Sequence, residues 1–338
     1  MQTDKIAVIE LSTKAVKWLI PQVDNETIQN YPFDFKHFFR ETQKTETGNG
    51  LNKNNFLDER YFVRNVLPYI KQAYDDIINK DVDIVYCVAT AVYRSARNIN
   101  SILQIIKDET DLDVRVLSKD EEAEYTFWAY FFSTKYRERL FEKPFTLLVD
   151  QGGGSTEISF FHNQKIVFRQ SFDMGTTILK NDFFSKQDVP ITERLNYIDL
   201  KYKKIIQNEL NSINITGQDL PKRDEDIYCI CVGTAITTAL GPIPNKYVHD
   251  SLLDTNQIQN IIETLTKNFE YYSISDLQYT IEYTDGKSNP LEKKLVSRLG
   301  LPIISEIIQF FNVKNLRISG TGLWYGVFFA NFHGIQID

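Results

Sequence analysis

The stretch Asp150-Gln151-Gly152-Gly153-Gly154-Ser155-Thr156-Glu157 sets three consecutive glycines between two acids, directly after the apolar run Phe145 to Val149. Glycine has no Cβ and admits positive φ, so a bend built from it can aim several backbone N–H groups at one anion with nothing in between. Phosphate is the usual anion for such a bend. A P-loop would end in Lys followed by Ser or Thr and open a helix, whereas here Ser-Thr-Glu-Ile-Ser-Phe-Phe continues with β character. The dinucleotide fingerprint also opens a helix, and its G-x-G-x-x-G spacing is absent. What remains is a phosphate loop at the tip of a β-hairpin, with more glycine than a two-residue hairpin turn needs. Asp150 and Glu157 bracket the bend, and two hard carboxylates beside a phosphate suit Mg²⁺, which bridges protein and phosphate oxygens. The plain alternative is a glycine turn flanked by surface acids.

Other chemistry is sparse. The four histidines (His37, His162, His249, His333) show no zinc-like pairing, and Cys87, Cys229 and Cys231 lie inside apolar β-like runs, as buried and inert thiols do. The formal net charge of −7 argues against broad nucleic-acid binding, so a polyanionic ligand has to be held locally, against the general field. No run approaches the roughly 18 apolar residues of a membrane span, and the N-terminal residues lack a basic region followed by an apolar signal core. The expectation is a cytoplasmic protein with neither nucleic-acid nor membrane partners.

The elements that would position these residues read as α/β. At 338 residues the chain has the length of two domains of about 100–200 residues each. Residues 5–20 and 145–170 share a layout of apolar strand, acidic residue, short polar loop and second strand, which points to a duplicated unit. Helical spacing is expected over 57–79, with Pro68 out of place, and then over 95–107 and 119–136; strands are expected over 82–88 and 114–117. The second half repeats the alternation, with helices over 191–210, 256–269, 291–311 and 323–332 and strands over 227–232 and 316–319. Residues 42–55 and 284–289 read as mobile surface loops.

Six blocks carry a resemblance that runs the length of the chain: LVDQGGGSTEIS (148–159), ATAVYRSARN (89–98), LSKDEEAEYTFWA (117–129), MGTTILKNDFF (174–184), CVGTAITTAL (231–240) and LRISGTGLWYGVFF (316–329). The chain resembles the exopolyphosphatase and guanosine pentaphosphate phosphatase family, within the superfamily of actin and the sugar kinases. The resemblance implies two ribonuclease-H-like domains, here 1–130 and 131–338, with an interdomain cleft. It implies attack by water on the terminal phosphoryl group of polyphosphate or a phosphorylated nucleotide, with Mg²⁺ as cofactor, and it makes a homodimer one assembly to expect. Carried over position by position, Glu122 is the general base and Arg94 faces the transferring group. Gly152, Gly153, Gly154 and Ser155 cradle phosphate oxygens, joined by Thr13 and Lys14 of the first motif; Asp150, Glu157 and Glu10 are the metal ligands. Phosphoryl transfer needs positioning, charge neutralisation and a carboxylate to orient the water, which these residue types supply.

The sequence departs from the family pattern in three places. The first motif, Asp-x-Gly-Ser-Asn-Ser in the family, is Glu10-Leu11-Ser12-Thr13-Lys14-Ala15, where Lys14 either pairs with phosphate or fills the substrate's place. Ala235 and Ile236 stand where glycines are common, so side chains are expected where a ligand should approach the backbone. Trp324-Tyr325 replaces Arg-Glu and reads either as core packing or as a stacking platform for a base. Three functions stay open: a phosphoanhydride hydrolase, a sensor that binds a phosphorylated ligand without consuming it, and a sugar-kinase-like transferase. The acidic balance, and a last block that ends near Asp338, favour a short or nucleotide substrate over long polyphosphate.

Overall fold

A strand covered on both faces is apolar along most of its length, and Ile6–Leu11 (β1) is buried throughout with Glu10 as its one charged residue. In the computed structural model, which describes residues 4–337 apart from 31, 186–188, 214–226, 242–247 and 283–288, β1 is the third strand of a five-stranded sheet. Its neighbours are β2 (Ala15–Pro21), β3 (Phe38–Lys44), β4 (Ile84–Ala89) and β5 (Val114–Val116), in the order β3-β2-β1-β4-β5. The first three strands form an antiparallel meander, and β4 and β5 extend it in parallel. Ala7, Ile9 and Leu11 face one core, with Phe62, Ile70 and Ile102 of the helices Glu59–Asn65, Leu67–Ile78 and Ile99–Thr110. Ile6 and Val8 face the other, with Tyr125 and Phe328 of the helices Lys119–Ser133 and Leu323–Phe332.

The second sheet repeats this plan. Strands β6 (Phe145–Gln151), β7 (Thr156–His162) and β8 (Lys165–Phe172) form the meander, β9 (Ile227–Gly233) and β11 (Asn315–Ile318) continue it in parallel, and β10 (Leu252–Asp254) closes the edge. The order β10-β11-β9-β6-β7-β8, read backwards, matches the first sheet with one edge strand added. The duplication read from the sequence is therefore a duplication of topology. Among the described residues no helix is long and apolar enough to cross a membrane.

The chain divides into two units, one running to Lys135 and including the stretch from Thr321 onward, the other Tyr136–Gly320. The sequence reading gave everything after residue 130 to the second domain, but the C-terminal helix belongs to the first unit. Tyr325, Val327, Phe328, Phe329 and Ala330 of Leu323–Phe332 are all buried, and such a helix must be covered on most sides. It packs on Lys119–Ser133 so closely that Gly326 lies directly against the Tyr125 carbonyl. Thr321 Oγ1 and Ser133 Oγ are 3.0 Å apart, which ties the returning chain to the helix it covers.

Several local readings need correction. Residues 57–79 form two helices, not one: Asp58 caps the first by accepting from Arg60 N and Tyr61 N, and Pro68 sits in the first turn of the second, where a missing N–H costs nothing. The helix expected from residue 95 begins at Ile99, after a separate turn of helix at Ala91–Ser95. The one expected to reach 136 stops at Ser133, whose hydroxyl donates to the Ala129 carbonyl. The helices Thr176–Ser185 and Ile274–Glu282 were not foreseen. Residues 42–55 are not a mobile loop: β3 runs to Lys44, a 3-10 turn follows at Thr47–Gly50, and Thr45 and Thr47 are buried. Residues 284–288 of the other expected loop lie outside the described residues.

A methyl group at Gly326 would overlap the Tyr125 carbonyl. Gly326→Ala is expected to cost about 1–3 kcal/mol, the usual penalty of overpacking, seen as a lower urea midpoint at unchanged slope. An unchanged midpoint would show that the two helices do not need this close approach.

Candidate active site

The glycine bend joins β6 to β7 at the carboxyl end of the parallel strands, where α/β sheets present their ligand sites. Its three glycine carbonyls all point the same way. Thr176 N donates to Gly152 O at 3.0 Å, Thr177 N to Gly153 O at 2.8 Å, and Gly175 N to Gly154 O at 3.2 Å. These donors open the helix Thr176–Ser185, whose first amides have no partner within the helix. A trans peptide sets its N–H opposite its C=O, so pinning these carbonyls turns the amides of Gly153, Gly154 and Ser155 outward. None of the three donates to an acceptor among the described residues. Gly152 differs from its expected role, because its N–H closes the bend on Ser155 O at 2.9 Å. Gly175 makes the packing possible, since a Cβ there would overlap the Gly153 carbonyl.

Asp150 and Glu157 are direct partners across β6 and β7, so both carboxylates stand side by side on one face at the base of the bend. Ser171 Oγ donates to Glu157 Oε1 at 3.0 Å, and Glu157 makes no ion pair among the described residues. Two like charges placed this way repel, and a divalent cation would remove the cost. The donor set fits Mg²⁺, which uses one or two carboxylates and leaves its other positions to phosphate oxygens and water. Among the described residues no group of three or more His, Cys, Asp or Glu could hold a metal through protein ligands alone.

The first unit carries its own set. Glu10 occupies in β1 the place of Asp150 in β6, but its cross-strand partner is Lys17, whose Nζ donates to Oε1 at 2.7 Å. Glu10 is only 3% exposed, and its Oε2 is buried without a hydrogen-bond partner. Its charge is thus matched by a cross-strand cation. Lys17 escaped the sequence reading, although its hairpin position opposite Glu10 was the available signal. At the tip, the Ser12 hydroxyl donates to Ala15 O at 2.9 Å and accepts from Ala15 N at 3.2 Å, so the residue that replaces a family glycine closes the turn. Thr13 and Lys14 form the tip itself and are both half-buried.

Arg94 and Glu122 are brought together. Arg94 Nη1 is ion-paired to Glu122 Oε1 and also donates to the Leu117 carbonyl at 2.6 Å. Its Nε and Nη2 donate to nothing among the described residues. Both side chains are 27% exposed. Glu122 lies in the first turn of Lys119–Ser133, where the helix dipole favours a negative charge, while its neighbour Glu121 is taken up by the capping box with Ser118. That helix begins where β4 ends: Leu117 N donates to Ala89 O at 2.9 Å, and Thr90 N to Leu11 O at 3.0 Å.

Two of the suspected departures are core residues. Ala235 and Ile236 are fully buried, with Ser297 Oγ donating to Ala235 O at 2.8 Å, so neither side chain stands out from the backbone as expected. Beside them Gly233 has a φ of 111° and touches the Gln151 carbonyl, a place closed to other residues. Tyr325 is 1% exposed among Phe33, Phe35 and Phe38 and is a core residue, while Trp324 beside it is half-buried. All three cysteines are buried, and burial pushes the Cys87 and Cys231 thiols upward, away from reactivity.

The chain is similar to known proteins along nearly its whole length. A model of the Ppx/GppA phosphatase family matches residues 23–334. Over 322 residues the chain is 24% identical to the bifunctional 3-dehydroquinate synthase/phosphatase of Fusobacterium nucleatum; this is 93% of the chain but 44% of that protein, so the chain spans less than half its relative's length. A Ppx/GppA family member from Aquifex aeolicus shares the fold with a TM-score of 0.73 at 22% identity, covering 99% of both chains. An exopolyphosphatase from Cytophaga hutchinsonii does so with a TM-score of 0.71 at 19% identity, covering 98% of this chain and 99% of that one.

If the three outward amides bind an oxyanion, Gly175→Ala, which forces the bend away from its helix, is expected to abolish the rise in thermal midpoint given by inorganic tripolyphosphate. Far-UV circular dichroism checks that the variant is folded. A rise equal to that of the wild type would remove the bend from the binding site.

Proposed function

The chain belongs to the Ppx/GppA phosphatase family, and on that premise we propose that it is a Mg²⁺-dependent phosphoanhydride hydrolase. It would release orthophosphate from the end of a short polyphosphate or of a guanosine pentaphosphate-like nucleotide. The observation that carries the reading is the glycine bend: three amides turned outward by pinned carbonyls, above two adjacent carboxylates.

Phosphoryl transfer asks little covalent chemistry of a protein and much positioning. The amides of Gly153, Gly154 and Ser155 take up charge on the phosphate oxygens, fixed before substrate arrives. Asp150 and Glu157 would hold Mg²⁺, which when bound neutralises phosphate charge. Glu122 accepts the proton of the attacking water as its oxygen bonds to the terminal phosphorus and the anhydride P–O bond breaks toward the remaining phosphate. Arg94 holds the Glu122 carboxylate through Nη1 and keeps Nε and Nη2 for a phosphoryl oxygen. Glu10 is paired with Lys17, so we assign it to ordering the first hairpin, not to the metal. The net charge of −7 supports a short substrate, because a long polyanion calls for an extended basic channel.

One observation favours the second reading, a sensor that binds without consuming. Arg94 Nη1 already holds Glu122 Oε1 in an ion pair, so that oxygen is engaged before any water arrives. Free phosphate measured against polyphosphates and guanosine and adenosine nucleotides, with and without Mg²⁺, separates the two. Hydrolysis predicts multiple turnover that stops on chelation and falls about 10²–10⁴-fold in Glu122→Gln. Full activity in that variant removes Glu122 as the base. Ligand-dependent stabilisation with no turnover over hours establishes the sensor.

A further inference from the structure

The segment that leaves β3 treats the first hairpin as the segment leaving β8 treats the second. After β8, the amides of Gly175, Thr176 and Thr177 pin the carbonyls of the glycine bend. After β3, Thr45 N and Glu46 N donate to Lys14 O at 2.9 and 3.0 Å, and Gly48 N donates to Thr13 O at 3.0 Å. Each segment has one glycine pressed against the tip it holds. A Cβ at Gly175 would overlap the Gly153 carbonyl, and one at Gly48 would stand 2.8 Å from Cγ2 of Thr13. The topological duplication extends to the segment that follows the third strand of each meander.

The first device is built to stay put. Thr45 Oγ1 and Thr47 Oγ1 lie 2.9 Å apart in a buried pair, and the Tyr61 hydroxyl donates to both Thr45 O and Glu46 O, at 3.2 and 3.0 Å. Glu46 between them has a φ of 47°, a left-handed conformation that a residue with a side chain holds only when its surroundings impose it. Pinning Thr13 O fixes the plane of the Thr13–Lys14 peptide and so the bearing of the Lys14 N–H, which lies opposite. Gly48 against the Thr13 methyl fixes how the Thr13 hydroxyl is presented.

We infer that Thr45–Gly50 is a positioning clamp for the first hairpin, with Gly48 and Tyr61 as positioning residues that set how Thr13 and Lys14 meet a phosphoryl group. This rests on reading that hairpin as oxyanion-binding. The clamp acts through the hairpin and touches no substrate, so its signature is a change in KM that the hairpin itself can reverse.

The test uses the full chain and inorganic tripolyphosphate, with orthophosphate release giving kcat and KM. Gly48→Ala is expected to raise KM about tenfold, a modest share of what misplacement of a binding group can cost. Thr13→Ser removes the methyl that Gly48→Ala would strike and keeps the hydroxyl, so the double variant should return to within about twofold of Thr13→Ser alone. A purely structural defect at residue 48 would not be rescued in this way. Tyr61→Phe should raise KM several-fold through loss of its two hydrogen bonds, with kcat little changed. Wild-type KM in Gly48→Ala, or a defect that Thr13→Ser leaves untouched, overturns the clamp and leaves the hydrolase standing. A wild type that neither hydrolyses nor binds tripolyphosphate overturns the functional reading and the clamp with it.

Discussion

A planar trans peptide cannot turn its carbonyl one way without turning its amide the other, and the candidate site depends on that constraint. Three successive carbonyls of the glycine bend are held by the amides that open the next helix, so the amides of Gly153, Gly154 and Ser155 are aimed before any ligand arrives. The helix gains as well, because its first amides find acceptors. Glycine is required here for close approach more than for unusual φ: Gly175 and Gly153 are in backbone contact, and no side chain would fit. A site formed in this way needs little reorganisation when charge develops on a bound phosphate.

The two repeats share their topology and differ in charge. The cross-strand pair below the tip is Glu10 with Lys17 in the first and Asp150 with Glu157 in the second. One pair is neutral and sealed, with Glu10 buried; the other is doubly acidic and half-buried. The same backbone therefore carries an acid–base pair in one unit and two acids in the other. The first motif is altered rather than eroded. Ser12 closes its own turn, and the replaced glycines at 235 and 236 became core residues.

The first unit is completed from the far end of the chain. Leu323–Phe332 covers the sheet face on which Lys119–Ser133 also lies, and this packing fixes the helix that carries Glu122. The aromatic side chains at 325, 328 and 329 share a core with Tyr125 and Ala129 of that helix. Arg94, on the short helix after β4, completes the support through its ion pair to Glu122.

Periodicity and composition were enough to reveal the α/β alternation, the doubled strand–acid–turn–strand layout and the glycine bend between β6 and β7, because each is written in neighbouring residues. Breaks such as the one at Val66 and the capture of residues 42–55 escaped, since local polarity says nothing of a distant carbonyl awaiting a donor. The membership of the last helix in the first unit, and the pinning of the glycine carbonyls by the amides of Gly175, Thr176 and Thr177, were decided by tertiary structure alone. Each joins residues far apart in sequence, and a buried polar atom takes whatever partner the folded chain brings to it.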